Sequence, residues 1–403
     1  MAFDKAKLEK YADVLLWGLA VARSNAGGKI NPYEAVLLRY DLPGLPLVEV
    51  LHRKLLRNRM NVILKPNYVP AMEKDLYELG DRKQIAFIDG GLLAQTESLG
   101  GCIVVRAPES LTHLKGVDPD KFGVASVARK PMREIMDRRE EKGAFSWTLC
   151  SYPTAELAKQ AGLPLKEYSA QIEKACFLNE KDPVKKWKEI LRASTEIKKW
   201  LDALPIDEIH LQSKSADLVI SLGERRRFKG VSGHNIPSFE IFTSPDWRGT
   251  RGVFFADMPT FVSGNFVKGI KLEFKNGRAV KVSAEEGDNF VRKMLTMDKG
   301  ACQVGEFSLT DRRFSKISKF MADILFDENF GGKFGNSHIA VGSSYSDTYA
   351  GDVKKLTPRM KEKLGFNESA LHWDMINSEN KTVTATLKNG KKVTIYDNGE
   401  FKY

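Results

Sequence analysis

No apolar run in this 403-residue chain approaches the roughly 18 residues that span a bilayer, so a membrane protein built on helices is excluded. The first ten residues, Met-Ala-Phe-Asp-Lys-Ala-Lys-Leu-Glu-Lys, are charged and carry no secretory core. Cysteine is scarce and scattered: Cys102, Cys150, Cys176 and Cys302 form no C-x-x-C pair. They read as isolated thiols in a reducing cytoplasm, not as a disulfide frame. A Gly-rich phosphate loop is also missing. Asp89-Gly90-Gly91 follows an apolar run but lacks the other glycines of a dinucleotide fingerprint, so no nucleotide is expected. Acid is in deficit, with a net charge of +11. The basic residues are spread along the chain and no aromatic platform accompanies them, so the charge reads as a solvated surface without nucleic acid.

What is present alternates. Leu8, Tyr11, Leu15 and Leu19 recur at helical spacing over residues 4–23. Short apolar runs at 35–40, 61–65, 84–89, 102–106 and 146–150 read as strands, with helices at 47–57, 71–79, 92–98, 131–142, 154–161 and 166–177. This rhythm predicts an α/β N-terminal domain with a mainly parallel sheet over 1–205. A long helix over 182–204 closes it, started by Asp182-Pro183 and stopped by Pro205. From 206 to 403 strands dominate (206–211, 217–222, 252–256, 269–274), with helices at 285–295 and 312–324. Asn276-Gly277 and Asn389-Gly390 mark two hairpins. The second half is therefore a sheet-rich α+β domain.

The chemistry-bearing residues cluster in that second half. Asp327 to Tyr345 sets Glu328, His338 and Tyr345 among Gly, Asn and Ser, residues with little core-building character. His372 and Asp374 stand two apart, which on a strand puts both on one face. Glu240 lies between Pro237 and Pro245, and Glu306 follows Gly305. Each carboxylate alone reads as a surface or capping residue. Together, three Glu, one Asp and two His suit a pair of divalent ions, with Zn, Co, Mn and Mg all accepted. Such a pair activates a shared water and polarises a carbonyl. Tyr345 reads equally as an oxyanion donor or as a Tyr packed at a strand end. Of the six histidines, His52, His113 and His210 read as structural, and His234 as at most a cleft residue.

Six segments carry a resemblance. They are Asn235-Ile-Pro-Ser-Phe-Glu240-Ile-Phe-Thr-Ser-Pro245, Gly305-Glu306-Phe-Ser-Leu, Ile324-Leu-Phe-Asp-Glu328-Asn329, His338-Ile-Ala-Val-Gly-Ser-Ser-Tyr345, Asn367-Glu-Ser and His372-Trp-Asp374-Met-Ile376. In content and order the chain resembles the thermophilic-type metalloaminopeptidase family of aminopeptidase T, aminopeptidase S and PepS. The resemblance implies that Glu240, Glu306, Glu328, His338, His372 and Asp374 bind two divalent ions. It implies that Tyr345 stabilises the transition state and that Glu306 doubles as general base. It further implies a cytoplasmic homodimer that releases N-terminal residues from short peptides with a free N-terminus. Rival readings are a dimetal hydrolase of another amide and a basic nucleic-acid-binding protein without turnover. The chain departs from the family in a longer loop over residues 330–337, expected to bear on Glu328. It also departs in Phe239, expected to narrow the pocket.

Overall fold

A parallel sheet must be covered because its crossover helices lie on its faces. The first part of the chain follows that rule in the computed structural model, which describes residues 2–403. Five strands run in the order Asn61–Pro66, Ala35–Tyr40, Leu99–Arg106, Ser146–Ser151 and Asn235–Ile236, every pair parallel. The first helix, Lys5–Asn25, is capped by the Asp4 carboxylate, which accepts from the Lys7 N–H. Leu8, Tyr11, Leu15 and Leu19 are its buried stripe, and the Tyr11 hydroxyl donates to the Ser151 carbonyl at 3.0 Å.

The chain divides into two compact units, one of residues 1–188 and 232–238, the other of residues 189–231 and 239–403. The expected boundary at Pro205 follows the last turn of the helix Pro183–Ala203, within which the first division falls.

The second unit holds a small two-stranded antiparallel sheet, Thr260–Val262 with Asn265–Val267, and two larger antiparallel sheets. One has eight strands, in the order Arg278–Ser283, Ile270–Lys275, Asp246–Ala256, Asp217–Ser221, Ile206–Ser213, Lys381–Leu387, Lys392–Asp397 and Glu400–Phe401. The other has four: His372–Asn377, Asn336–Gly342, Val304–Thr310 and Glu240–Thr243. A single apolar core joins them. Phe307, Leu309, Ile339, Val341, Trp373 and Met375 of the small sheet belong to one buried cluster with Leu211, Leu218, Phe254 and Leu272 of the large one. Each such side chain contributes about 1.5–3 kcal/mol by leaving water. The Asn276-Gly277 turn has both residues at positive φ, as a two-residue hairpin requires.

Two expected elements are absent from the described residues. Residues 84–89 form no strand. Asp81 and Gln84 build a reciprocal capping box, and the short helix Arg82–Ile85 results. Residues 312–324 form no helix. Asp311 there accepts from the Arg313 and Phe401 N–H groups, and only Ile324–Asp327 is helical. None of the four cysteines is in a disulfide.

Candidate metal centre

Strand pleating places the site. Residues opposite one another in an antiparallel pair share a face, and so do residues two apart. Thr310 pairs with Glu240, Ser308 with His338, Glu306 with Ala340, Ala340 with Asp374, and Gly342 with His372. Glu240, Glu306, His338, His372 and Asp374 therefore project from one face of the four-stranded sheet. The opposite face carries the core residues named above.

Glu306 keeps to that face by regular alternation with Ser308 and Thr310, and a bulge just before it turns Val304 the other way. Val304 pairs with Val341 and Glu306 with Ala340, so Gly305 is an extra residue. Without it Val304 and Glu306 would share a face, and Val304 lies in the core. Only glycine fits there, since a Cβ on Gly305 would stand 2.3 Å from the Gly342 carbonyl oxygen.

The donor atoms form two groups with one shared member. His338 Nε2 lies 3.5 Å from Glu240 Oε2, 3.4 Å from Glu306 Oε1 and 3.9 Å from Asp374 Oδ1. His372 Nε2 lies 3.4 Å from Glu306 Oε2 and 3.5 Å from Asp374 Oδ1. Glu240, Glu306 and His338 make one candidate ion-binding group, and Glu306, His372 and Asp374 the other. Two atoms that each sit about 2.0–2.2 Å from one ion lie about 3–3.5 Å apart, which matches these separations. His372 is oriented for the task. Its Nδ1 is 2.9 Å from the Ser343 carbonyl, which can only accept, so Nδ1 carries the proton and Nε2 faces the carboxylates.

Electrostatics point the same way. Burial lowers the pKa of the His338 imidazole, but Glu306, Asp374 and Glu240 outweigh it and raise it to about 9. His372 is likewise raised against its burial, by Asp374 and Glu306. Glu328 is pushed well up by burial and by the charges of Glu240, Asp374 and Glu306. The four carboxylates crowd one small volume, and dications would relieve the crowding that protons otherwise must. The donor set thus fits divalent metal.

Glu328 stands somewhat apart. It is buried at the end of Ile324–Asp327, within range of the other carboxylates, but belongs to neither close group. Tyr345 is beside the site. Its ring centroid is 4.8 Å from that of His372 and 5.5 Å from that of Phe242, and its N–H donates to Ser244 Oγ. At 44 % exposure it is open to an incoming molecule. Burial of its hydroxyl end and the charges of Glu306, Asp374, Glu240 and Glu328 raise the phenol well above its ordinary value. Phe239 is buried to 1 % exposure, not a free rim residue.

Sequence reading passed over the residues that hold these side chains. Asn329 and Asn336 are fully buried and hydrogen-bonded around Glu328, and Asn367 donates to the carbonyls of Gly300 and Gly342. Three asparagines among residues of no apolar periodicity were the available signal.

The sequence profile of the thermophilic metalloprotease family (M29) matches residues 4–401. Aminopeptidase T of Thermus thermophilus is 30% identical over 310 residues, 72% of this chain and 73% of that protein. Aminopeptidase PepS of Streptococcus thermophilus is 24% identical over 428 aligned positions, 98% of each chain. Among solved structures, wild-type AmpT from Thermus thermophilus superposes with a TM-score of 0.81 at 25% identity, covering 99% of this chain and 100% of that one.

Proposed function

The chain belongs to the thermophilic metalloprotease family (M29), and we propose that it is a dimetal aminopeptidase acting on short peptides with a free N-terminus. The carrying observation is Glu306, whose two oxygens each lie 3.4 Å from a different imidazole. One carboxylate common to two donor groups is the arrangement a metal pair needs. Glu240, Glu306 and His338 would hold one ion, Glu306, His372 and Asp374 the other, and Glu328 would complete the set. Zn, Co, Mn and Mg all suit these oxygen and nitrogen donors. Two divalent ions so held lower the pKa of a shared water and polarise the scissile carbonyl.

The remaining steps belong to the protein's own side chains. Tyr345 donates a hydrogen bond to the carbonyl oxygen as negative charge develops on it. A carboxylate other than the shared Glu306, whose two oxygens each face an imidazole, accepts the water proton and passes it to the leaving amine. A free substrate α-amino group would be held near the ions and the neighbouring carboxylates, so N-acetylated peptides are refused. The protein acts as a cytoplasmic homodimer without nucleic acid.

One preparation tests this. Wild type should carry about two metal ions per chain and hydrolyse leucyl-p-nitroanilide in a chelator-sensitive way. His372→Ala should lose at least one ion and activity by about two orders of magnitude or more. Metal without release of any free-amino substrate would transfer the site to another amide. Absence of bound metal after reconstitution with Zn or Co would sink the reading.

A further inference from the structure

Glu328 reaches the site by a different route from the other donors. It follows the four-residue helix Ile324–Asp327, so no strand pleat aims it. Its main chain and side chain are held by separate groups. The Glu328 carbonyl accepts from Asn336 Nδ2 at 3.0 Å and from Thr310 Oγ1 at 3.4 Å. The Glu328 Oε1 accepts from Asn329 Nδ2 at 3.3 Å.

Asn329 is fully buried and uses both ends of its amide. Nδ2 also donates to the Leu325 carbonyl at 3.0 Å, and Oδ1 accepts the Phe239 N–H at 2.5 Å. Phe239 is the residue before Glu240. One side chain therefore ties the carboxylate of Glu328 to the backbone that delivers Glu240. An amide offers a donor and an acceptor on two separate atoms whatever the pH. The donor end matters because Glu328 faces the like charges of Glu240, Asp374 and Glu306.

We infer that Asn329 is a positioning residue, which fixes Glu328 Oε1 beside the Glu240–Glu306–His338 group and so sets that group's affinity for a divalent ion. The inference rests on the metal-centre reading above. Outer partners of metal ligands characteristically contribute about 10–100-fold in metal affinity.

The test is calorimetric titration of zinc into metal-stripped full-length protein. Asn329→Asp keeps the acceptor for the Phe239 N–H but replaces the donor with a second acceptor. It should weaken the tighter or the weaker of the two zinc steps by about 10–100-fold, with the far-UV circular dichroism spectrum unchanged. In a Glu328→Gln background the same substitution should cost less than about threefold, because the two residues act through one contact. Where Asn329→Asp does not fold, Asn329→Ser, which is too short to reach Glu328, should give at least the same weakening, and since it also releases the Phe239 N–H, part but not all of its effect should vanish beside Glu328→Gln. Wild-type zinc affinity in the folded variants, or losses that multiply in the double variant, overturn the inference and leave the metal centre standing. Failure of the wild-type protein itself to bind zinc overturns both.

Discussion

Lys381 shows what the interior tolerates at the level of one residue. It is 2 % exposed, and its Nζ has no hydrogen-bond partner. Burial lowers its pKa to about 7, only partly opposed by Asp257 and Glu379. The folded protein therefore binds this proton less tightly than the unfolded chain, where Lys titrates near 10.4. Between about pH 7 and 10 the unfolded state carries more protons, so stability rises with pH across that window. Below pH 7 the cost is constant and at its fullest. Lys381→Met should raise the melting temperature at pH 7 by several degrees and flatten the rise toward pH 10, which thermal melts across that range would check. A slope as steep as that of wild type would assign it to another group. None of this was legible in the sequence, where Lys381 is one Lys among many. The six proposed ligands came as a set from the resemblance, since each carboxylate alone read as a surface or capping residue, and the structure gathers five of them into the two close groups. The longer loop over residues 330–337 already pointed to Glu328 as the one to stand apart.

Among the elements, the strand Val304–Thr310 has the largest consequence. Its bulge turns Val304 into the core while Glu306 stays on the site face, and its glycine lets two backbones approach closely. Gly305→Ala should destabilise the fold by about 1–3 kcal/mol, as overpacking does. It should also lower metal content, because the strand must move to admit the methyl group. Denaturant unfolding beside metal analysis reads both, and wild-type metal content in the folded variant would refute the link. Strands with apolar runs and helices with a clear stripe were legible, as over residues 146–150 and 182–204. The errors fell where side-chain hydrogen bonds outrank hydropathy. The capping box of Asp81 and Gln84 made a helix of an apolar run, and Asp311 held residues 312–323 in an irregular path. Gly305 carried no signal of its role, since a bulge is defined by its partner strand.

For the molecule as a whole, the alternation of short strands and helices foretold the α/β half, and the Asn-Gly turns the sheet-rich half. Sheet order was out of reach. Asn235–Ile236 joins the parallel sheet of the first unit although the intervening chain, residues 189–231, builds the second. Metal that binds only the folded site should stabilise the whole chain, by about 2.7 kcal/mol at a hundredfold excess over Kd. Stripped protein should therefore melt several degrees lower than protein reconstituted with Zn or Co, and equal melting temperatures would contradict a folded-state site. A further consequence follows from the four-stranded sheet, which has core on one face and proposed ligands on the other. Its central strands, Val304–Thr310 and Asn336–Gly342, are buried at every position. Most strands can drift in evolution on their wet side, changing every second letter freely. These two have no wet side, so a descendant that loses the chemistry is freed on only one face, and the fossil of the site should outlast its use.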